Sequence, residues 1–212
     1  MERLDIYDAN MRVCGTMDRD EAHRRGEWHR TVHLWLVDPR EGGRLLFQLR
    51  GPDVRANPGK LDATAAGHIL AGEDDLAALR EVPEELGIEI PAPLHHLGYR
   101  CETADMPTGD RNREFQSVFM ALATPGLRFA PDPGEVHGVL AIDIQAIFDL
   151  FDGSRREVTG AGIEYDRLAD RWHDAERRVG LHDLVPRFER YYLNIAIMAE
   201  RLLEGRMPLA IG

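Results

Sequence analysis

Residues able to do chemistry crowd into one stretch of this chain. Between positions 73 and 85, four glutamates (Glu73, Glu81, Glu84 and Glu85) surround Arg80, and Pro83 stands among them. On a helix, at about 100° per residue, Glu81, Glu84 and Glu85 fall within about a quarter-turn of one another, while Leu79, Val82 and Leu86 take the opposite side. Like charges at such spacings destabilise an isolated helix by a few tenths of a kcal/mol per pair. A divalent cation removes that penalty, because carboxylate oxygens are the hard ligands magnesium prefers. Without a cation the same face is an ordinary solvated acidic surface. Residue types alone leave both readings open.

The elements that must position these residues can be read from the pattern around them. Residues 31–37 (TVHLWLV) and 44–50 (RLLFQLR) read as strands joined by a turn rich in Pro and Gly. Residues 61–69 (LDATAAGHI) read as a short buried strand entering a loop. A helix is expected over 74–86, with Asp74 or Asp75 as its N-cap and Gly87 just past its end. A strand pair follows at 94–102 and 114–123, with 105–113 between them as an exposed loop. A strand at 138–144 and a short helix at 145–151 complete a first unit. After Gly153 the character changes, and helices are expected at 168–178 and 187–205. In the second, Phe188, Tyr191, Tyr192, Ile195, Met198 and Leu202 form one apolar stripe, suited to packing on the domain or on a second subunit. This order points to an α/β or α+β sandwich: residues 1–152 as one domain that includes an N-terminal strand or hairpin segment, and 153–212 as a helical C-terminal extension packed on it.

Composition narrows the partners. The chain has 212 residues, 43% of them hydrophobic and 30% charged, with a formal net charge of -11. Such a surface repels nucleic-acid polymers and anionic membranes, so a small molecule is the expected partner, with a homodimer possible through the apolar stripe. Cys14 and Cys101 form no CxxC pair or disulfide framework, which fits a reducing cytoplasm. Both are expected to serve packing. No signal-like apolar core and no run of membrane-spanning length is present.

Gly67, Glu73 and the segment 80–88 (REVPEELGI) together resemble the Nudix box, G-x5-E-x7-R-E-U-x-E-E-x-G-U with U apolar. Two departures stand out. Six residues, not seven, separate Glu73 from Arg80. Pro83 removes the amide that would bond the Leu79 carbonyl, at a cost of about 3 kcal/mol in a regular helix, so a kink is expected between Glu81 and the Glu84–Glu85 pair.

The resemblance implies a Nudix-type α/β/α sandwich with a mixed sheet. It implies Mg2+, with Mn2+ as a substitute, held by Glu81, Glu84 and Glu85 for hydrolysis of a pyrophosphate bond in a small organic or nucleoside diphosphate derivative. One of these glutamates or a loop carboxylate would be the general base. Gly67, Glu73, Arg80 and Gly87 would be structural, Glu73 and Arg80 as an ion pair. Glu135 is a further candidate for a metal or base role, and Arg50 for gripping phosphate; Arg55 and Lys60 read as solvated charges.

Residues 28–37 and 58–68 are similar to the subgroup related to isopentenyl-diphosphate isomerases. Those enzymes bind a second metal with histidines at places resembling His23, His29 and His68; ordinary hydrogen-bonded histidines are the alternative here. They also need a cysteine just ahead of the glycine–histidine pair, where this chain has Ala66, which argues against isomerase chemistry. Pro83 and the shortened box motivate a further alternative, a Nudix-fold binding module with impaired catalysis.

Overall fold

The computed structural model describes residues 2–40, 42–106, 109–188 and 190–211. An N-terminal hairpin, β1 (Arg3–Tyr7) and β2 (Val13–Asp18), leads into the short helix α1 (Arg19–Arg25). The Asp18 carboxylate caps α1 by accepting from the Asp20 amide at 3.0 Å, and Gly26 ends it in the left-handed conformation. Leu4, Ile6 and Ala22 bury together, which fixes α1 to the hairpin.

The main sheet contains β3 (His29–Asp38), β4 (Arg44–Arg50), β5 (Leu61–Asp62), β6 (Ala65–His68), β7 (His95–Asp105), β8 (Arg111–Leu122), β9 (Val136–Asp143), β10 (Glu157–Asp166) and β11 (Arg171–Gly180). Its order is β11-β10-β9-β4-β3-β8-β7, with β5 paired to β4 and β6 to β3. The sheet is mixed: β3 and β8 run parallel, and the other paired neighbours run antiparallel.

Alternation along β3 builds two cores. Val32, Leu34 and Leu36 face a cluster completed by Leu79, Val82 and Leu86 from the carboxylate segment. Trp35 and Val37 face the opposite layer, where α3 (Ile144–Asp152) and α4 (Tyr191–Leu203) pack. The expected α/β/α sandwich with a mixed sheet is therefore present. The apolar stripe of α4 is used within the chain: Tyr191, Tyr192, Ile195 and Leu202 are buried in this core, while Phe188 lies outside the helix and is exposed.

Three expectations need correction. The helix predicted over 74–86 is a 3-10 turn, Ala77–Arg80, followed by the α-helix α2 (Glu81–Leu86). Pro83 thus lies in the first α-helical turn, where a missing amide costs little because no intrahelical acceptor awaits it. Asp74 does accept from the Leu76 and Ala77 amides, at 3.0 and 2.8 Å, but Asp75 pairs with Arg30.

The second correction concerns 153–212. The segment expected as a helix at 168–178 is strand β11, paired with β10 in a hairpin that extends the main sheet from β9, so the C-terminal extension is only partly helical. The reason is tertiary: an open edge of β9 offers unpaired backbone groups, and the hairpin satisfies them. Third, Cys14 and Cys101 are exposed: residues 13–16 of β2 are exposed on both faces, and Cys101 faces outward on β7 between buried Arg100 and Glu102. Of the loop expected at 105–113, Pro107 and Thr108 lie outside the described residues, and residues 111–113 belong to β8.

Gly87 closes α2 as expected, at φ 64°, with its amide donating to the Pro83 carbonyl at 3.1 Å. A Cβ there would overlap the Ala130 carbonyl, because the Ala130 and Asp132 amides cap the Leu86 and Glu85 carbonyls at 3.0 Å. Gly87→Ala is expected to cost at least about 2 kcal/mol, read as a fall in Tm of at least about 4 °C.

Candidate active site

A cavity of about 510 Å³ opens between α1, the β4–β5 loop, α2 and the start of β9. Glu81, Glu85 and Glu135 line one end of it. α2 contributes the first two. The third is brought in by a main-chain clamp, in which the Gly51 amide donates to the Glu135 carbonyl at 2.7 Å and ties the end of β4 to the entry of β9.

Glu85 is buried, and its Oε2 accepts from the Ala66 amide at 3.4 Å. Burial, reinforced by the negative charges of Glu81 and Glu135, pushes its carboxyl up to about 8. Burial also raises Glu81, against the lowering effect of Arg80. Glu81 and Glu135 thus act on Glu85 through their charge in a partly desolvated pocket, which concentrates negative potential at this end of the cavity. Gly67 makes the room: a Cβ on it would overlap the Glu81 side chain. Gly67→Ala is therefore expected to move Glu81 and lower turnover at least about tenfold, with little change in Tm. Unchanged turnover would show that the position of Glu81 is immaterial.

Arg80 braces this end. Its Nε donates to Glu73 at 3.0 Å, and its Nη1 to Glu81 at 2.6 Å and Glu84 at 3.0 Å. Glu73 in turn accepts from the Leu70 amide at 2.9 Å. The missing residue between Glu73 and Arg80 does not prevent their contact. Four residues in a 3-10 turn, rising about 2.0 Å each instead of about 1.5 Å, gain roughly one residue's worth of helix length. Glu84 is directed at Arg80 and its side chain is 59% exposed. Arg50 lines the cavity and donates from Nε to the Ala56 carbonyl at 2.9 Å. Arg55 also lines it, paired to Asp20 and Asp110, whereas Lys60 turns to the His182 carbonyl.

The histidines meet. His23, His29, His68 and Glu114 offer donor atoms that all lie within 4.8 Å of one another. His23 and His29 each direct Nδ1 at a main-chain carbonyl, of Arg19 and Glu27, at 2.9 Å. A carbonyl can only accept, so Nδ1 of each carries a proton, which leaves the lone pair of a neutral ring on Nε2. The Nε2 of His29 is buried with no hydrogen-bond partner among the described residues, and those of His23 and His68 are 3.4 Å apart. Burial holds His29 and His68 below the usual imidazole range, so both stay neutral. Three imidazoles beside a carboxylate, His23 and His29 oriented by carbonyls and His29 and His68 held neutral by burial, fit a transition-metal ion. This is the place where the isomerase-like resemblance implies a second metal. Sequence reading missed Glu114; its signal was a carboxylate at the start of a strand otherwise buried. Ala66 lines the same cavity, so no thiol stands at that position.

A family model described as the NUDIX domain matches residues 27–159. The chain is 31% identical over 195 residues to an uncharacterized Nudix hydrolase of Clostridium acetobutylicum, covering 90% of this chain and 93% of that protein. It is 36% identical over 136 residues to the isopentenyl-diphosphate Delta-isomerase of Streptomyces griseus, covering 63% of this chain and 66% of the isomerase. A crystal structure of a Deinococcus radiodurans protein shares the fold, with a TM-score of 0.56, 23% identity, and coverage of 73% of this chain and 91% of that one.

Proposed function

The chain belongs to the Nudix family, and from that premise we propose that it is a magnesium-dependent pyrophosphohydrolase acting on a small organic or nucleoside diphosphate derivative. The observation that carries this reading is the convergence of Glu81, Glu85 and Glu135 at one end of a cavity that also exposes Arg50 and Arg55. A divalent cation bound by these carboxylates, with Glu84 completing the set from the solvent side, supplies neutralisation of diphosphate oxygens and acidification of a water. Arg80 holds Glu81 in place, and Arg50 and Arg55 attract the remaining phosphate charge. A carboxylate of the same group takes the proton from the attacking water. Ala66 supports hydrolysis over isomerisation, since no thiol stands beside the histidines.

The test is release of phosphate or nucleoside monophosphate from a panel of diphosphates, with and without magnesium. Magnesium-dependent release from at least one member is expected, with no double-bond isomer formed from isopentenyl diphosphate. Binding without turnover across the panel would overturn the hydrolase reading in favour of a binding module.

A further inference from the structure

The sheet below the cavity changes character along its strands. On β3, His29, Thr31 and His33 share a face with Trp35 and Val37; on β8, Glu114 and Gln116 share one with Val118 and Met120. The apolar ends of both faces belong to the core beneath α4, but the five polar residues at the other end are buried as well. Arg100 and Glu102 of β7, which pair with Gln116 and Glu114, extend this polar floor.

Two residues outside the carboxylate segment and the histidine cluster complete it. Asp62 comes from β5. Arg187 comes from the segment before α4, beyond the residues matched as a NUDIX domain. Arg187 Nη2 donates to both Asp62 oxygens at 2.8 and 2.7 Å, and Nη1 lies 3.6 Å from Glu102. The side chains of Asp62 and Arg187 are only 5% and 8% exposed, yet both line the cavity, together with Thr31, His33 and Glu114. The Nε of Arg187 is buried with no hydrogen-bond partner among the described residues.

A cavity floor built of buried hydrogen-bonding groups discriminates by what it leaves unsatisfied. Asp62 also accepts from the Tyr192 hydroxyl at 3.3 Å, and a hydrocarbon chain laid on this floor would cover the remaining hydrogen-bonding capacity of Asp62, Thr31 and Arg187 and return no hydrogen bond. A hydroxyl-rich group donates to the Asp62 carboxylate and accepts from the guanidinium, replacing the water it displaces.

We propose that the group attached to the substrate's diphosphate is hydroxyl-rich, of the sugar type and not a hydrocarbon chain, and that Asp62 and Arg187 are the residues that read it. This rests on the hydrolase reading for its activity assay, but binding tests it separately. Values of kcat/KM in magnesium are to be measured for UDP-glucose and ADP-ribose against isopentenyl and geranyl diphosphates. Dissociation constants for the same four compounds are to be measured by calorimetry in calcium. The better hydroxylated compound is expected to exceed both prenyl diphosphates by at least about a hundredfold in kcat/KM and about tenfold in affinity. The paired change Asp62→Asn with Arg187→Gln, which leaves no buried charge unmatched between them, should narrow both ratios at least about tenfold, mainly through KM.

Prenyl diphosphates that match or exceed the hydroxylated compounds in affinity overturn the proposal, whatever the fate of the hydrolase reading. Absence of turnover with the affinity order intact removes the hydrolase reading and keeps this one. If none of the four binds, the proposal falls. Should the paired variant fail to fold, the ranking measured on the unmodified protein decides.

Discussion

Glu85→Gln is expected to lower kcat at least about a hundredfold at saturating magnesium while making the metal-free protein more stable above neutral pH. Both effects would have one origin, a carboxylate placed where its charge is unwelcome unless the proposed cation binds. The carboxyl sits at about 8 in the folded chain against 4.5 as the ordinary value, because of burial first and the charges of Glu81 and Glu135 second. The folded state therefore holds a proton that the unfolded chain releases between those two values. Stability from this group is fully present below about pH 4.5 and is lost as pH rises through about 8, amounting by pH 7 to on the order of 3 kcal/mol. The Tm of the metal-free protein should thus fall from pH 5 to pH 8. Magnesium, which binds only the folded arrangement, should restore the loss. Glutamine, neutral throughout, should flatten the profile and remove most of the magnesium effect. A variant with unchanged kcat and an unchanged pH profile would take Glu85 out of the metal site. Glu84→Gln should cost less activity, because Glu84 must first turn from Arg80 to reach the cluster.

How much of this was legible beforehand depended on whether a residue's role is local. The strands at 31–37 and 44–50 carry runs of apolar residues that only a doubly covered strand explains, and both lie within observed strands. Gly87 was legible as a cap because a left-handed residue at a helix end leaves a local mark. The hairpin of β10 and β11 was not. No side chain of β11 from Arg171 to Arg178 is buried, so the sequence carries no apolar alternation of two, and Ala175, Glu176, Arg177 and Arg178 favour a helix by propensity. Pairing to β9 decides the matter: Gly162 packs so closely on Val139 that a Cβ would overlap its carbonyl. The cavity shows the same division. Glu81, Glu85 and Gly67 belong to one motif, whereas Glu135 arrives through the Gly51 clamp, and Asp62 and Arg187 meet across 125 positions of sequence. Only a hydrophobic run interrupted by a carboxylate, Leu61-Asp62-Ala63, hinted that Asp62 has a buried partner.

Arg80→Ala should separate the architecture of the site from its chemistry. One guanidinium bonds Glu73, Glu81 and Glu84, and the balance favours its charge: burial disfavours it, and the hydrogen bond to Glu73 and the charge of Glu81 outweigh that. Removing it unties the loop that carries Glu73 and frees Glu81. With the side chain about a quarter exposed, the loss is discounted to about 1–2 kcal/mol, or roughly 2–8 °C in Tm. If Arg80 were only a brace, the magnesium titration would be unchanged once the protein is folded. Arg80 is bonded to Glu81 and Glu84, and if these two are metal ligands as proposed, it would compete with the metal for them. Its removal should therefore lower the magnesium concentration at half-maximal activity several-fold, even as kcat falls at least about tenfold because Glu81 is no longer held. Arg80→Lys should keep the magnesium midpoint near its original value and still lose stability, since an ammonium has no planar fork to span three carboxylates. A midpoint that does not move in Arg80→Ala would mean that Glu81 and Glu84 do not share their oxygens between arginine and metal. The ligand set would then have to be drawn from Glu85 and Glu135.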